Sequence, residues 1–167
     1  CRHLTVDQYG REVSVSQYER PNIAQMQGYA SGEQPEDGRS IKLNTNENPY
    51  PPSPRVAAAL ASFATEQLRI YPQPDARLLR QAIAEHHNVS VDSVVITHAG
   101  DEALRLAITT FVPPDGVVAS TEPTYSLYPV LAQIQGASMF TQALSADWSL
   151  PGDFAAKVNA AGAQIGR

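Results

Sequence analysis

The chain has 167 residues, of which 43% are hydrophobic and 17% are charged, and its formal net charge at pH 7 is −5. These values are ordinary for a soluble globular protein with a substantial core. The acidic balance and the lack of a Lys/Arg cluster exclude nucleic acid and an anionic membrane surface as expected partners, and no apolar run approaches the roughly 20 residues that a membrane-spanning helix needs.

The first predicted segment, residues 1–52, is an arm followed by a loop. Cys1 is the only cysteine and cannot form an internal disulfide, which is typical of cytoplasmic proteins. Residues 1–40 are polar and rich in Gln, Glu and Gly, so we expect an irregular arm with at most a short helix over 22–27. The prolines of Ile41–Pro54 remove backbone donors and fix φ, which predicts an extended and rigid loop.

The second predicted segment, residues 53–167, begins with two amphipathic helices. Ser53 as N-cap and Pro54 at the first helical position are typical of a helix start. Asp75 is expected to cap the second helix and Asn88 to end it. Apolar residues recur at helical spacing in both, at Val56, Ala59, Leu60 and Phe63, and at Leu78, Leu79, Ala82 and Ile83.

From residue 94 onwards, apolar strands alternate with amphipathic helices. Strands are predicted at 94–97, 117–120 and, from a weaker pattern, 138–143. The helices are predicted at 100–111, around Tyr128, Leu131, Ala132 and Gln135, and at 154–162 after a cap at Asp153, with a turn at 113–116. This alternation predicts an α/β fold, a three-layer αβα arrangement in which helices cover both faces of a mainly parallel sheet.

The stretch Thr97–Glu102 joins a predicted strand to a predicted helix. A helix begins with unpaired N–H groups and the positive end of its dipole, so such a turn is suited to an anion such as phosphate. Ala99 and Gly100 are small enough for a phosphate to approach the backbone. A helix start capped by Asp101, with no ligand, is the alternative. Ligands of parallel sheets bind at the carboxyl ends of strands, where Thr97–Glu102 and Thr121–Tyr125 are both expected.

Four short motifs occur in order along the chain: Leu43–Tyr50 (LNTNENPY), Tyr71–Asp75 (YPQPD), Gly100–Glu102 (GDE) and Pro123–Tyr125 (PTY). Together they resemble the first half of histidinol-phosphate aminotransferases, which are fold type I enzymes dependent on pyridoxal 5′-phosphate. The resemblance covers about residues 18–167. It implies the incomplete large domain of such an enzyme, and amino transfer between glutamate and imidazole acetol phosphate in histidine biosynthesis.

The resemblance implies three cofactor-binding residues in the later motifs. Gly100 and Asp101 match the backbone that holds the cofactor phosphate, and we expect the Asp101 carboxylate to point away and cap the turn, because two anions in contact would repel. Tyr125 matches the ring that stacks on the cofactor's pyridine ring, for which a flat aromatic side chain is suited. From the residues alone, Tyr125 is equally well a core tyrosine at a strand–helix junction.

The earlier motifs resemble those that complete the site in the family. Tyr71 matches the tyrosine whose hydroxyl reaches the cofactor phosphate of the other subunit, which implies a homodimer with a shared active site. Without the resemblance, it is a turn tyrosine packed on Pro72. Tyr29, Asn46 and Asn48 match the substrate side, where an amino acid or keto acid would bind. Side-chain bonding within a turn is the alternative for the two asparagines.

Two positions depart from the family pattern. Pro51 replaces a usual glycine, so the loop is expected to be stiffer at the substrate side. His98 is an additional imidazole at the phosphate turn, and we interpret it as a solvated turn residue. His86 and His87 lack metal-ligand spacing, and we expect no metal site.

The chain contains only two lysines, Lys42 and Lys157, and neither lies in the context of the family's Schiff-base lysine. We therefore expect that the chain is part of a longer aminotransferase, incomplete at both ends, and that this segment alone has no turnover. The alternatives are another fold type I aminotransferase, an enzyme like phosphothreonine decarboxylase, and a non-catalytic fragment that only binds or pairs.

Overall fold

The computed structural model of the chain describes residues 4–6, 12–14, 18–26, 32–33, 35 and 38–162. It divides into two compact units. We call them the sheet unit, made of Cys1–Ala30 and Thr97–Arg167, and the loop–helix unit, Ser31–Ile96. The division into segments 1–52 and 53–167 stays a prediction.

The elements are numbered in chain order. The strands of the described residues are β1 (Leu4–Val6), β2 (Glu12–Ser14), β3 (Val117–Glu122) and β4 (Ser138–Ala143). The α-helices are α1 (Pro21–Ala24), α2 (Pro54–Ala61), α3 (Arg77–His87), α4 (Ala99–Phe111), α5 (Leu127–Gln135) and α6 (Phe154–Ala160), and short 3₁₀ helices cover Thr65–Arg69 and Val91–Ser93.

The sheet unit is built on the parallel pair β3 and β4, which the crossover helix α5 connects. The register runs from Val117 opposite Ser138 to Glu122 opposite Ala143. Both strands were predicted, and their parallel pairing confirms the α/β class. The turn before β3 needs Gly116, because a Cβ atom there would lie 2.8 Å from the carbonyl oxygen of Pro113.

Helices cover both faces of this small sheet. Successive side chains of a strand point to opposite faces. Val118 packs against the buried cluster of Ile108, Leu127 and Leu131, so α4 and α5 cover its face. Phe140 is paired with Ala119, the next residue of β3. Its ring therefore faces the other side, where it lies 6.4 Å from the ring of Phe154 at the start of α6. The two-stranded sheet with helices on both faces thus has the predicted αβα order of layers, with only part of the sheet that such a fold contains.

The N-terminal arm contains more regular structure than its composition predicts. Strands β1 and β2 pair antiparallel, with Thr5 opposite Val13, so the expectation of an irregular arm is wrong there. Three-residue strands are too short to give a detectable periodicity. The short helix predicted at 22–27 is found as α1, Pro21–Ala24, and residue 27 lies outside the described residues.

The loop–helix unit confirms some of the predicted helix ends and contradicts others. Ser53 caps α2, its Oγ accepting a hydrogen bond from the backbone N–H of Arg55 at 3.3 Å. Asn88 ends α3 in the left-handed conformation with φ 52°. Asp75 is not the cap of α3, because Ala76 occupies that position. Its carboxylate lies 3.8 Å from the Arg80 guanidinium instead.

The predicted apolar face of α2 is not buried. Leu60 is 73% exposed and Phe63 50% exposed, and the helix itself contains no buried residue. The helical spacing of the apolar residues predicts α2 correctly. Such spacing shows which side chains share a face of the helix, but not whether another element covers that face.

The strand predicted at 94–97 is not formed. These residues connect the second 3₁₀ helix to α4 without pairing in a sheet. Arg80 contacts this segment, its Nε donating to the Val94 carbonyl oxygen at 2.9 Å. An apolar run becomes a strand only where another strand supplies its ladder hydrogen bonds, and none pairs with it within the described residues.

The last helix, α6, ends at Ala160, two residues before the predicted end. Asp153 is its N-cap residue, but the Asp153 side chain makes no capping hydrogen bond. Its carboxylate accepts from Gln142 Nε2 at 3.0 Å and pairs with Lys157 Nζ at 2.8 Å. These two donors satisfy the carboxylate in place of the helix N–H groups.

Candidate functional site

The N-terminus of α4 forms the centre of the candidate site. The helix has 13 residues and begins at Ala99, with His98 as its N-cap residue. The first N–H groups of a helix have no partner within it and lie at the positive end of the dipole. The space beside Gly100 is open, because a Cβ atom built there meets no atom within 4 Å apart from its chain neighbours and the backbone of its own helix. This combination of donors and space fits a phosphate group.

Two carboxylates flank this helix start, and each is held by a donor of the protein. The Glu102 carboxylate accepts a hydrogen bond from the backbone N–H of His98, the N-cap residue, which in a capping box is bonded by a side chain from the first turn of the helix. The Asp101 carboxylate accepts from the hydroxyl of Tyr125 at 3.3 Å. The expectation that Asp101 caps the turn is therefore wrong, because its carboxylate bonds Tyr125, and the longer Glu102 side chain reaches back to the N–H of the N-cap residue His98.

Tyr125 follows the end of β3 and precedes α5, and its carbonyl oxygen accepts from the N–H of Tyr128 at 3.3 Å. Its ring lies edge-on to the ring of Tyr128, with centroids 6.3 Å apart and an interplanar angle of 85°. Tyr125 is 42% exposed, so it is not a core residue. The structure thus brings together Gly100, Asp101 and Tyr125, three of the residues that the sequence singled out.

A groove of about 480 Å³ lies beside this point, between α4 and α5. Polar side chains of α4 and its N-cap line it together with apolar side chains of α5: His98, Asp101, Glu102 and Arg105, and Leu127, Leu131 and Ile134. Sequence reasoning missed Arg105, although its spacing of four residues from Asp101 places the two on one helix face. The His98 side chain is 91% exposed, as expected for a solvated turn residue.

A second cavity, of about 310 Å³, lies at the carboxyl ends of β3 and β4. Five of its eight lining residues carry a hydroxyl group: Ser120, Thr121, Thr124, Ser126 and Thr141. These hydroxyl groups lie at the edge where parallel sheets place their binding residues.

The remaining predicted site residues belong to the loop–helix unit or lie outside the described residues. Tyr71 is 97% exposed, so it is not packed on its neighbour as a turn tyrosine. Asn46 adopts the left-handed conformation with φ 52°. Asn48 Oδ1 accepts a hydrogen bond from the backbone N–H of Tyr50 at 3.0 Å, which confirms turn bonding for this asparagine. Tyr29 lies outside the described residues.

Both lysines form ion pairs. Lys42 Nζ lies 2.6 Å from Glu47 Oε1, and this hydrogen bond and charge lower the pKa of the Glu47 carboxyl. The hydrogen bonds that Lys157 and Gln142 donate lower the pKa of Asp153 in the same way. Each ammonium group therefore has a carboxylate partner close to it in sequence.

The described residues lack two further kinds of feature. They contain no group of three or more His, Cys, Asp or Glu side chains placed to hold a metal ion. Among the same residues, no helix combines the length and the apolar character needed to cross a membrane.

The chain is similar to known proteins of one family. Residues 39–165 match the family described as Aminotransferase class I and II. Histidinol-phosphate aminotransferase of Clostridium botulinum (strain Langeland) is 39% identical over 136 residues, 81% of this chain and 38% of the relative. The enzyme of that name from Acinetobacter baumannii (strain AYE) is 44% identical over 119 residues, 70% of this chain and 33% of the relative.

A solved structure is similar as well. A crystal structure assigned as an aminotransferase from Burkholderia pseudomallei K96243 has a TM-score of 0.55 and 26% sequence identity, and the match covers 68% of this chain and 34% of that one. The chain thus spans between a third and two fifths of the length of the relatives it matches. From the family match and these relatives, the chain belongs to the class I and II aminotransferase family.

Proposed function

We propose that the protein containing this chain is a pyridoxal 5′-phosphate-dependent aminotransferase that transfers an amino group between glutamate and imidazole acetol phosphate, in histidine biosynthesis. The observation that carries the proposal is the open helix start at Gly100 beside the Asp101–Tyr125 pair. A phosphate site next to a half-exposed aromatic ring suits a flat heterocycle that bears a phosphate. The names of the relatives support the choice of histidinol phosphate as the substrate.

Each side chain of this site has a separate role in the proposal. The backbone N–H groups of Gly100 and Asp101 would bind the cofactor phosphate. The Tyr125 ring would stack on the pyridine ring and orient it. When bound, the cofactor supplies an electron sink for the group transfer. We assign no covalent role to Lys42 or Lys157, because each is held in an ion pair with a nearby carboxylate.

The proposal extends to the substrate side, the subunit interface and the cell compartment. Tyr29, Asn46 and Asn48 would face the amino acid or keto acid substrate. Tyr71 would contact the cofactor phosphate of the partner subunit in a homodimer, and its nearly complete exposure leaves its hydroxyl accessible for such a contact. We place the enzyme in the cytoplasm, since its single cysteine suits a reducing compartment.

The test is an assay of the full-length protein that contains this chain, supplied with pyridoxal 5′-phosphate. Histidinol phosphate is offered as amino donor and 2-oxoglutarate as acceptor, and glutamate formation is followed. Phenylalanine, aspartate and phosphothreonine serve as competing substrates. We expect kcat/KM to be highest for histidinol phosphate. A higher value for another amino donor would support aminotransferase activity but contradict histidinol phosphate as the substrate. Release of CO₂ from phosphothreonine would show a decarboxylase and not an aminotransferase.

A further inference from the structure

The carboxylate of Asp101 contacts the aromatic residue of the site and not the helix start to which it belongs. Its Oδ1 lies 3.3 Å from the hydroxyl oxygen of Tyr125, across 24 residues of sequence. The backbone N–H of His98, the N-cap residue of this helix, is bonded to Glu102 instead. The Asp101 side chain is thus available for another task.

We propose that the Asp101 carboxylate is a positioning residue that fixes the Tyr125 ring against a flat, phosphate-bearing heterocycle. This inference rests on the proposed function, which assigns the ring a stacking role and assigns Asp101 a backbone contact only. It adds a role for the side chain of Asp101, exerted through the Tyr125 hydroxyl.

The need for such a contact follows from where Tyr125 lies. The residue is in a loop between β3 and α5, whereas Asp101 is in the first turn of a 13-residue helix. A tyrosine ring is oriented by two side-chain torsions. The edge of Tyr128 restrains the ring on one side. The hydrogen bond to Asp101 restrains the hydroxyl end, so the two contacts together define the plane of the ring.

The same contact sets the distance between the two halves of the ligand site. The backbone N–H of Asp101 belongs to the phosphate-binding helix start, and its carboxylate holds the aromatic ring. One residue of a rigid helix therefore relates the phosphate position to the ring position. The hydrogen bond also directs the carboxylate towards a donor, which reduces its repulsion of a nearby phosphate.

A double-mutant cycle on the full-length protein tests the inference. The variants are Asp101→Ala, Tyr125→Phe and the double variant, and the dissociation constant of pyridoxal 5′-phosphate is measured for each. Loss of this exposed hydrogen bond should raise the dissociation constant about threefold to tenfold in either single variant. Both substitutions remove the same contact, so the double variant should bind no more weakly than the weaker single variant.

Two further variants separate positioning from folding. Asp101→Asn keeps an oxygen that accepts from the tyrosine hydroxyl, so its affinity should return to within about threefold of wild type. Asp92→Ala, a control that removes a carboxylate with 91% exposure, should leave affinity unchanged. The visible circular dichroism of the bound cofactor, which depends on how the ring is held, should change alike in Asp101→Ala and Tyr125→Phe and stay constant in Asp92→Ala.

The outcomes distinguish this inference from the proposed function. If wild type binds the cofactor and the two single effects multiply in the double variant, the positioning role is wrong while the cofactor site stands. An unchanged dichroism spectrum in Tyr125→Phe leads to the same conclusion. If wild type does not bind pyridoxal 5′-phosphate at all, the proposed function and the inference are both overturned.

Discussion

Arg20 lies at the carboxyl end of α5, where its guanidinium donates a hydrogen bond to the Ile134 carbonyl oxygen at 3.1 Å. Asn22 adds a second contact, its Nδ2 donating to the Gln133 carbonyl oxygen at 2.9 Å. The last carbonyl groups of a helix have no partners within it and form the negative end of the dipole. Two side chains from more than 100 residues away in sequence therefore cap the crossover helix of the sheet.

Replacing Arg20 should destabilise the protein modestly. Arg20→Ala removes a hydrogen bond and a charge that complements the helix dipole, so we expect the free energy of unfolding to fall by about 0.5–1.5 kcal/mol. Arg20→Lys keeps the charge and should lose less. Arg55→Ala, a substitution in the first turn of α2, is the matched control. Urea unfolding of the purified variants measures the differences, and an equal loss in Arg20→Ala and Arg55→Ala would contradict the capping role.

The core of the sheet unit is small, so each of its residues contributes strongly. Leu131 is 6% exposed and packs with Ile108 and Leu127. Leu131→Ala should lower the free energy of unfolding by about 2–5 kcal/mol, because it removes buried contacts and leaves a cavity. Leu60→Ala makes the same chemical change at a position with 73% exposure and should cost far less. Similar losses at both positions would show that this cluster is not the core.

Gly100 offers a variant in which stability and binding should move in opposite directions. Alanine is favoured over glycine within a helix by about 0.5–1 kcal/mol, and a Cβ atom at Gly100 meets no protein atom, so Gly100→Ala should be stabilising. The added methyl group occupies the open space beside Gly100, next to the N–H groups proposed to bind the phosphate, so affinity for pyridoxal 5′-phosphate should fall.

Gly152→Ala is the matched control for this substitution, because a Cβ atom at Gly152 also meets open space and the residue is not part of α4. Its affinity for the cofactor should equal that of wild type. Thermal unfolding and cofactor titration measure the two effects. Unchanged affinity in Gly100→Ala would show that the cofactor phosphate does not bind at this helix start.

Much of the fold could be predicted from local patterns because those patterns are strong. Helix α4 and strands β3 and β4 were predicted to within two residues at each end, since apolar periodicity and turn residues agree there. The ends of α2 and α3 at Ser53 and Asn88 follow from the chemistry of their side chains. Each of these features is determined within a few residues of sequence.

The features that sequence reasoning missed depend on distant partners or on a shift of a single residue. The apolar run at 94–97 has no strand beside it, and β1 and β2 are recognisable only as a pair. Whether Asp101 or Glu102 bonds the N–H of the N-cap residue depends on the residue at which α4 begins. Sequence patterns do not define helix ends to a single residue. The Asp101–Tyr125 contact joins the first turn of α4 to the loop before α5, 24 residues away in sequence, so no local pattern predicts it.

Tyr71 tests the proposed homodimer. If its hydroxyl donates to the phosphate of the partner's cofactor, Tyr71→Phe removes one hydrogen bond to a charged group and should weaken cofactor binding by about 1.5–3 kcal/mol. Tyr18→Phe, at another highly exposed tyrosine, is the control. Equilibrium dialysis measures cofactor retention, and sedimentation establishes that each variant has the oligomeric state of wild type. Unchanged cofactor affinity in Tyr71→Phe would count against its role.

The Lys42–Glu47 pair predicts how this loop responds to pH. The hydrogen bond and the charge of Lys42 lower the pKa of Glu47 in the folded protein below its ordinary value of 4.5. A carboxyl whose pKa is lower in the folded than in the unfolded state stabilises the fold above its unfolded pKa, and this contribution is lost as pH falls through the folded pKa. The pair should therefore be intact at neutral pH and released in acid.

Titration of the Glu47 carboxyl by NMR measures this effect directly. In Lys42→Gln the pKa of Glu47 should return towards 4.5, because the charge is lost and a shorter, neutral amide replaces the charged donor. Lys157→Gln is the matched control. It removes the partner of Asp153, so it should raise the pKa of Asp153 and leave that of Glu47 unchanged. If Lys42→Gln leaves the Glu47 titration where it was, the ion pair does not form in solution, and Lys42 is then free to take part in other contacts of the loop.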